Sequence, residues 1–159
     1  MSYGVETFSN MTSIDVLDAG LDRTTIQIGH IIRLIGTKRL YAVLFPWPEG
    51  LPTYEYAKPE HNFVQTTGTQ DGLTVEWKLD GRLVALGHPT GSTELIDLAQ
   101  KDDSTIAVHR NEVFSPDEAI ALFTEYLTTD TIDTTHFSVR EIAYGDDADD
   151  AAPETARGK

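Results

Sequence analysis

The sequence contains no cysteine, which excludes disulfides, thiolate metal sites and thiol catalysis. Long hydrophobic runs are also missing. The longest, "HIIRLIG" and "LYAVLF", fall far short of the roughly 20 apolar residues that a bilayer-crossing helix needs. The N-terminus, "MSYGVETFSN", lacks the basic and apolar regions of a secretory signal, so a cytoplasmic protein is expected. Basic residues are scarce: 12 Lys and Arg stand against 26 Asp and Glu, for a net charge of −14. Such a field repels nucleic acid and anionic membranes and attracts basic partners or cations. Solubility, or an acidic host proteome, accounts for the same charge without any partner.

Catalytic signatures are absent too. There is no HExxH, no GxSxG, no Walker lysine and no GxGxxG spacing. "GHPTGS" (87–92) follows a strand-like run, but it reads as a turn leading away from it. The histidines, His30, His61, His88, His109 and His136, are scattered, with none three or four residues from another. Neither a metal nor a cofactor is expected from that spacing. "KDDST" and "DTIDTTH" read as turns, and carboxylates are too abundant for spacing to nominate a catalytic pair. A non-enzyme is the expectation.

The 159 residues, 40% of them hydrophobic, favour one domain over 1–144. A chain of this length buries about 70% of its unfolded surface. The remaining stretch, "GDDADDAAPETARGK" (145–159), holds five acids and two bases and little that repays ordering, so a disordered tail is expected.

Ile28, Ile31, Ile32 and Ile35 recur at helical spacing; Thr24 or Thr25 is the expected cap, with Gly36 closing the end. The residues before them suggest a first strand or a loosely docked arm. "LYAVLF" (40–45) reads as a central strand buried on both faces, ended by Pro46 and Pro48. "TYEYAK" and "NFVQTT" are short candidate strands. In "LTVEWKLDGRLVALG" a hairpin is expected over residues 73–86, turning at Asp80-Gly81. The turn pairs Leu79 with Arg82, Trp77 with Val84 and Val75 with Leu86, in agreement with the apolar pattern. Thr74, Glu76, Lys78 and Leu83 then point the other way, a mixed face that is usually solvated. "TELIDLAQ" suits a short helix or an irregular strand, and "STIAVH" a strand.

"SPDEAIALF" (115–123) carries the clearest local signal, with Ser115 as N-cap, Pro116 at the first helical position and Glu118 completing a capping box. Ala119, Ile120, Phe123, Tyr126 and Leu127 build its apolar stripe, and "HFSVREIA" supplies a last strand. The order predicts an α+β fold, a mostly antiparallel sheet with helices packed on one face.

The C-terminal third resembles the Imm1-type immunity proteins of bacterial polymorphic toxin systems. The similarity rests on "STIAVHR", the proline-led acidic helix "FSPDEAIALFTEYL", the spacer "TTDTID" and the strand "HFSVREI". The family's connection commonly has Gly and Pro and its strand commonly ends in Trp; this chain has none of these there. The resemblance implies a non-enzymatic cytosolic protein that blocks a toxin, and the acidity suits a basic nuclease or nucleic-acid deaminase domain. The alternative is a small-molecule-binding protein or enzyme using a cleft beside the sheet. An inhibitor would concentrate its acids on one side, whereas mere solvation would spread them evenly.

Charge and exposure nominate Trp47, Glu49, Tyr54, Glu55, Glu60 and Asp71 as partner-binding residues. Trp47, held between prolines, is suited to an interface; its alternative is to fold back onto the core.

Overall fold

The Asp80-Gly81 turn closes the hairpin with positive φ at both residues, 54° and 81°, the geometry whose twist matches two right-twisted strands. The fold around it is a computed structural model that describes residues 2–9, 11–17, 20–48, 50–51 and 61–142. In chain order the elements begin with β1 (Tyr3–Phe8), β2 (Thr12–Leu17), α1 (Leu21–Ile32), β3 (Tyr41–Pro46) and β4 (Asn62–Thr69). Next come β5 (Gly72–Leu73), β6 (Glu76–Leu79), β7 (Arg82–Gly87), β8 (Leu95–Ala99) and β9 (Thr105–His109). A 3-10 turn (Arg110–Glu112), α2 (Pro116–Thr129) and β10 (Ser138–Ile142) complete the chain.

The main sheet has eight strands in the order β10-β7-β6-β4-β3-β1-β2, with the short β5 paired to β4. All its ladders are antiparallel. The second sheet is the two-stranded ribbon β8-β9. The fold class is therefore the predicted one. So is the hairpin register: Leu79 lies opposite Arg82 and Trp77 opposite Val84, while Leu86 N–H reaches Val75 O at 3.0 Å.

Strand alternation sorts the apolar side chains onto two faces. On the first face Val5, Ala42, Leu44, Val64, Val75, Trp77, Val84 and Leu86 meet α1 through Ile28 and Ile32 and α2 through Ala119, Phe123 and Tyr126. Ser115 caps α2 as the sequence predicts. Its Oγ accepts Glu118 N–H at 3.2 Å, and Glu118 Oε1 accepts Ser115 N–H at 2.8 Å. The two helices cross at Gly29, where an added Cβ would lie 4.0 Å from Ile120 Cδ1.

Several expectations need correcting. α1 begins at Leu21, with Gly20 rather than Thr24 or Thr25 at its N-cap and no side-chain cap. Thr24 is already inside, its N–H bonded to Gly20 O at 3.0 Å. The helix ends at Ile32 with Arg33 as its C-cap, and Gly36 lies beyond it at φ +95°, where a Cβ would meet Thr69 Cα at 2.6 Å. Ile35 kept the helical spacing only because a further turn, Ile35 N–H to Ile32 O at 3.1 Å, holds it in the core. Of the two readings of the N-terminal residues, the strand is the observed one: β1 is hydrogen-bonded on both sides, to β2 and β3. "TELIDLAQ" resolves as the strand β8.

The mixed face of the hairpin is not simply solvated. Leu83, 3% exposed, joins Val43, Phe45, Trp47 and Phe63 in a second apolar cluster, and Thr74 is buried. "LYAVLF" accordingly has core on both sides, as a central strand should. "TYEYAK" and the 145–159 tail lie outside the described residues.

Candidate binding groove

The second face of the sheet carries a polar row. Register places Ile14, Glu6, Val43, Gln65, Glu76, Ala85 and Arg140 side by side across β2, β1, β3, β4, β6, β7 and β10. Residues directly opposite in antiparallel pairs project from the same face, so this row is one surface feature assembled from seven strands. Beside it, Phe45, Phe63 and Leu83 supply the apolar cluster.

A cavity of about 340 Å³ opens over the row, within the range of small-ligand pockets. Its lining includes Glu6, Tyr41, Val43, Gln65, Glu76 and Gln100. The ribbon supplies the last of these. Gln100 Nε2 donates to Thr67 Oγ1 at 2.8 Å, and Thr67 Oγ1 donates in turn to Leu40 O at 2.7 Å. Ser104 Oγ donates to Gln100 Oε1 at 2.8 Å and so fixes the amide's orientation.

Within the groove Tyr41 O–H donates to Glu6 Oε2 at 2.8 Å, and Gln65 Nε2 donates to Glu76 Oε1 at 2.7 Å. Burial raises the Glu76 carboxyl pKa above its ordinary value. Gln65 and the charge of Arg140 pull against that shift, and the charge of Glu112 adds to it. At the end of the row Arg140 is already engaged. Its Nε and Nη2 donate to Glu112 Oε2 and Oε1 at 2.7 and 2.8 Å. Burial pushes the Glu112 carboxyl up, but Arg140 and the backbone N–H of His109 outweigh it and leave the pKa lowered. The row thus presents carboxylates to the cavity, while its one cation is spent on a neighbour.

A second cavity, of about 430 Å³, lies between the start of α1 and the end of α2. Tyr3 O–H donates there to Asp130, which caps α2 in the left-handed region at φ 59°. Burial raises the pKa of Tyr3, with Asp130 adding to it, so these groups are paired with each other.

Of the nominated partner residues, Trp47 and Asp71 lie in the described part of the chain. Trp47 is 7% exposed, and its Nε1 donates to Leu51 O at 3.0 Å. Gly4 makes room for it, since a Cβ there would meet Phe45 Cζ at 2.6 Å and Trp47 Cε3 at 2.8 Å. Trp47 has therefore taken its alternative, as core. Asp71 is exposed in the turn between β4 and β5. Glu49, Tyr54, Glu55 and Glu60 lie outside the described residues. Glu6, Gln65 and Gln100 were not nominated. The signal of Glu6 and Gln65 was present only as polar positions within apolar strands, and it becomes a site once register aligns them; Gln100 follows β8 and is brought in by the ribbon.

Exposed acids occur on β2 (Asp15), α1 (Asp22), two hairpin turns (Asp71, Asp80) and the ribbon (Asp97, Asp102, Asp103). Among the described residues they are spread over several elements rather than gathered on one. Among the described residues no group of three His, Asp or Glu is arranged to hold a metal, and no helix is long and apolar enough to cross a membrane. Comparison with known protein families and with curated proteins finds no match.

Proposed function

We propose that this protein is a non-enzymatic inhibitor of the immunity type, which binds and blocks a basic bacterial toxin domain in the cytosol of its producer. A nuclease or nucleic-acid deaminase domain is the favoured partner, because its substrate groove must be cationic. One observation carries the reading: a groove faced by Glu6 and Glu76 whose row offers no free cation, Arg140 being held by Glu112. The described surface acids are spread, the distribution expected of solvation rather than of a one-sided inhibitor, so the reading rests on the groove and not on the overall charge.

The cavity also favours a second reading, a small-molecule-binding protein using the same groove. Its polar groups converge over an apolar floor at Val43, as that reading requires.

The test is capture of a toxin domain from native lysate at low and at high salt, followed by co-expression. A stoichiometric basic toxin domain that is weakened by salt, and whose toxicity this protein relieves, is the expected result. A lysate proven to contain such domains, none of which is retained or neutralised, refutes the inhibitor.

A further inference from the structure

Hydrogen-bond accounting in the groove limits what it can receive. Tyr41 O–H is used on Glu6, one Gln65 N–H on Glu76, Thr67 O–H on Leu40 O, and one Gln100 N–H on Thr67. A carboxylate accepts at both oxygens and an amide oxygen at two lone pairs. Glu6 Oε1, Glu76 Oε2 and Gln65 Oε1 therefore retain acceptor capacity after the internal bonds are made. The remaining donors, the second N–H of Gln65 and of Gln100 and the unpartnered Thr66 hydroxyl, carry no charge, so the groove's carboxylates favour a ligand that is cationic and rich in N–H.

Shape narrows the class. Glu6 on β1 and Glu76 on β6 are three strand spacings apart, about 14 Å between backbones. That separation is too wide for one metal ion to touch both. Between them lies Val43, an apolar floor on which an aliphatic stem can rest. Tyr41, stacked on Phe8 with ring centroids 6.1 Å apart, brings an aromatic ring to the lining, and such rings attract a guanidinium more often than an ammonium. The planar five-donor guanidinium also suits paired carboxylate and amide oxygens better than a point charge does.

We propose that the groove is a receptor for an arginine side chain, with Glu76 and Gln65 accepting from the guanidinium and Glu6 supplying the second negative charge. The proposal rests on reading the groove as the recognition surface. It specifies what the partner inserts there.

The probe is Nα-acetyl-arginine amide, titrated into the full chain and followed by NMR at the Gln65 and Gln100 side-chain amides and the Thr67 backbone amide. Nα-acetyl-citrulline amide, isosteric but neutral, is the control. The expected result is saturable shifts in the millimolar range for arginine and none for citrulline. Glu76→Gln should weaken binding about tenfold or more, since hydrogen bonds to charged groups are the stronger ones, and Glu6→Gln should weaken it less. Absence of saturation, equal response to citrulline, or affinity unchanged in both variants overturns the proposal. The two readings fail separately. A toxin domain still captured by a protein that ignores arginine removes the pocket alone, whereas arginine bound by a protein that captures no toxin removes the inhibitor alone.

Discussion

Arg140 holds Glu112 through two parallel N–H···O bonds of 2.7 and 2.8 Å, tying β10 to the 3-10 turn that follows the ribbon. The carboxylate is 3% exposed as a residue, while the guanidinium side keeps 39% of its side chain in solvent. Removing the two partners is therefore not equivalent.

Arg140→Met strands a buried carboxylate. We expect a loss of about 2 kcal/mol at neutral pH, below the ~3–5 kcal/mol of fully buried pairs because Arg140 is partly solvated. The Glu112 pKa is lowered in the fold, so its contribution is present above the unfolded value and lost as pH falls through the folded one. Urea unfolding should show the variant's deficit shrinking below about pH 4. A deficit independent of pH would exclude the ion pair as its cause.

Glu76 carries the opposite sign. Burial raises its pKa, so the wild type loses stability as pH rises through the folded value, where a neutral amide would not. Glu76→Gln should melt higher than wild type at neutral pH and show no advantage in acid. A lower melting temperature at neutral pH would disprove that sign. The same substitution is expected to weaken arginine binding, the usual opposition between a strained recognition group and a stable fold.

Ser115→Ala removes the acceptor for Glu118 N–H while leaving the α2 core face intact. The expected cost is about 1 kcal/mol, with faster hydrogen exchange confined to the first turn of α2. Glu118 also meets His88 Nε2 at 2.8 Å, so Glu118→Ala should cost more than Ser115→Ala. Equal costs would mean that the histidine contact adds nothing.

Trp47 and Trp77 are both buried. Their fluorescence should be blue-shifted and resistant to acrylamide. Strong quenching that Trp47→Phe abolishes would show Trp47 to be solvent-accessible.

Local chemistry made part of this fold legible in the sequence. The hairpin at Asp80-Gly81 and the cap at Ser115 depend on neighbouring residues, and both were readable in position and register. α1 was misplaced because Ile35 continues the helical spacing from beyond the helix, a pattern that tertiary packing produced. The groove was least legible. Glu6, Gln65 and Glu76 come from strands far apart in the chain, and only non-local pairing aligns them; Glu76 alone could be assigned a face, from the turn beside it. Trp47 was ambiguous because its burial depends on the missing side chain of Gly4, 43 positions upstream by residue number.

The division of each strand between two faces has an evolutionary consequence. Glu6 follows Val5, Gln65 follows Val64, and Glu76 lies between Val75 and Trp77; these apolar neighbours pack in the helix-covered core, while Glu6, Gln65 and Glu76 line the groove. Substitution at Glu6, Gln65 or Glu76 changes the chemistry of the groove face without opening the helix-covered core. On the proposed inhibitor reading, a lineage pressed by a changing toxin would diversify its specificity one residue at a time, while the scaffold that presents those residues is inherited unchanged.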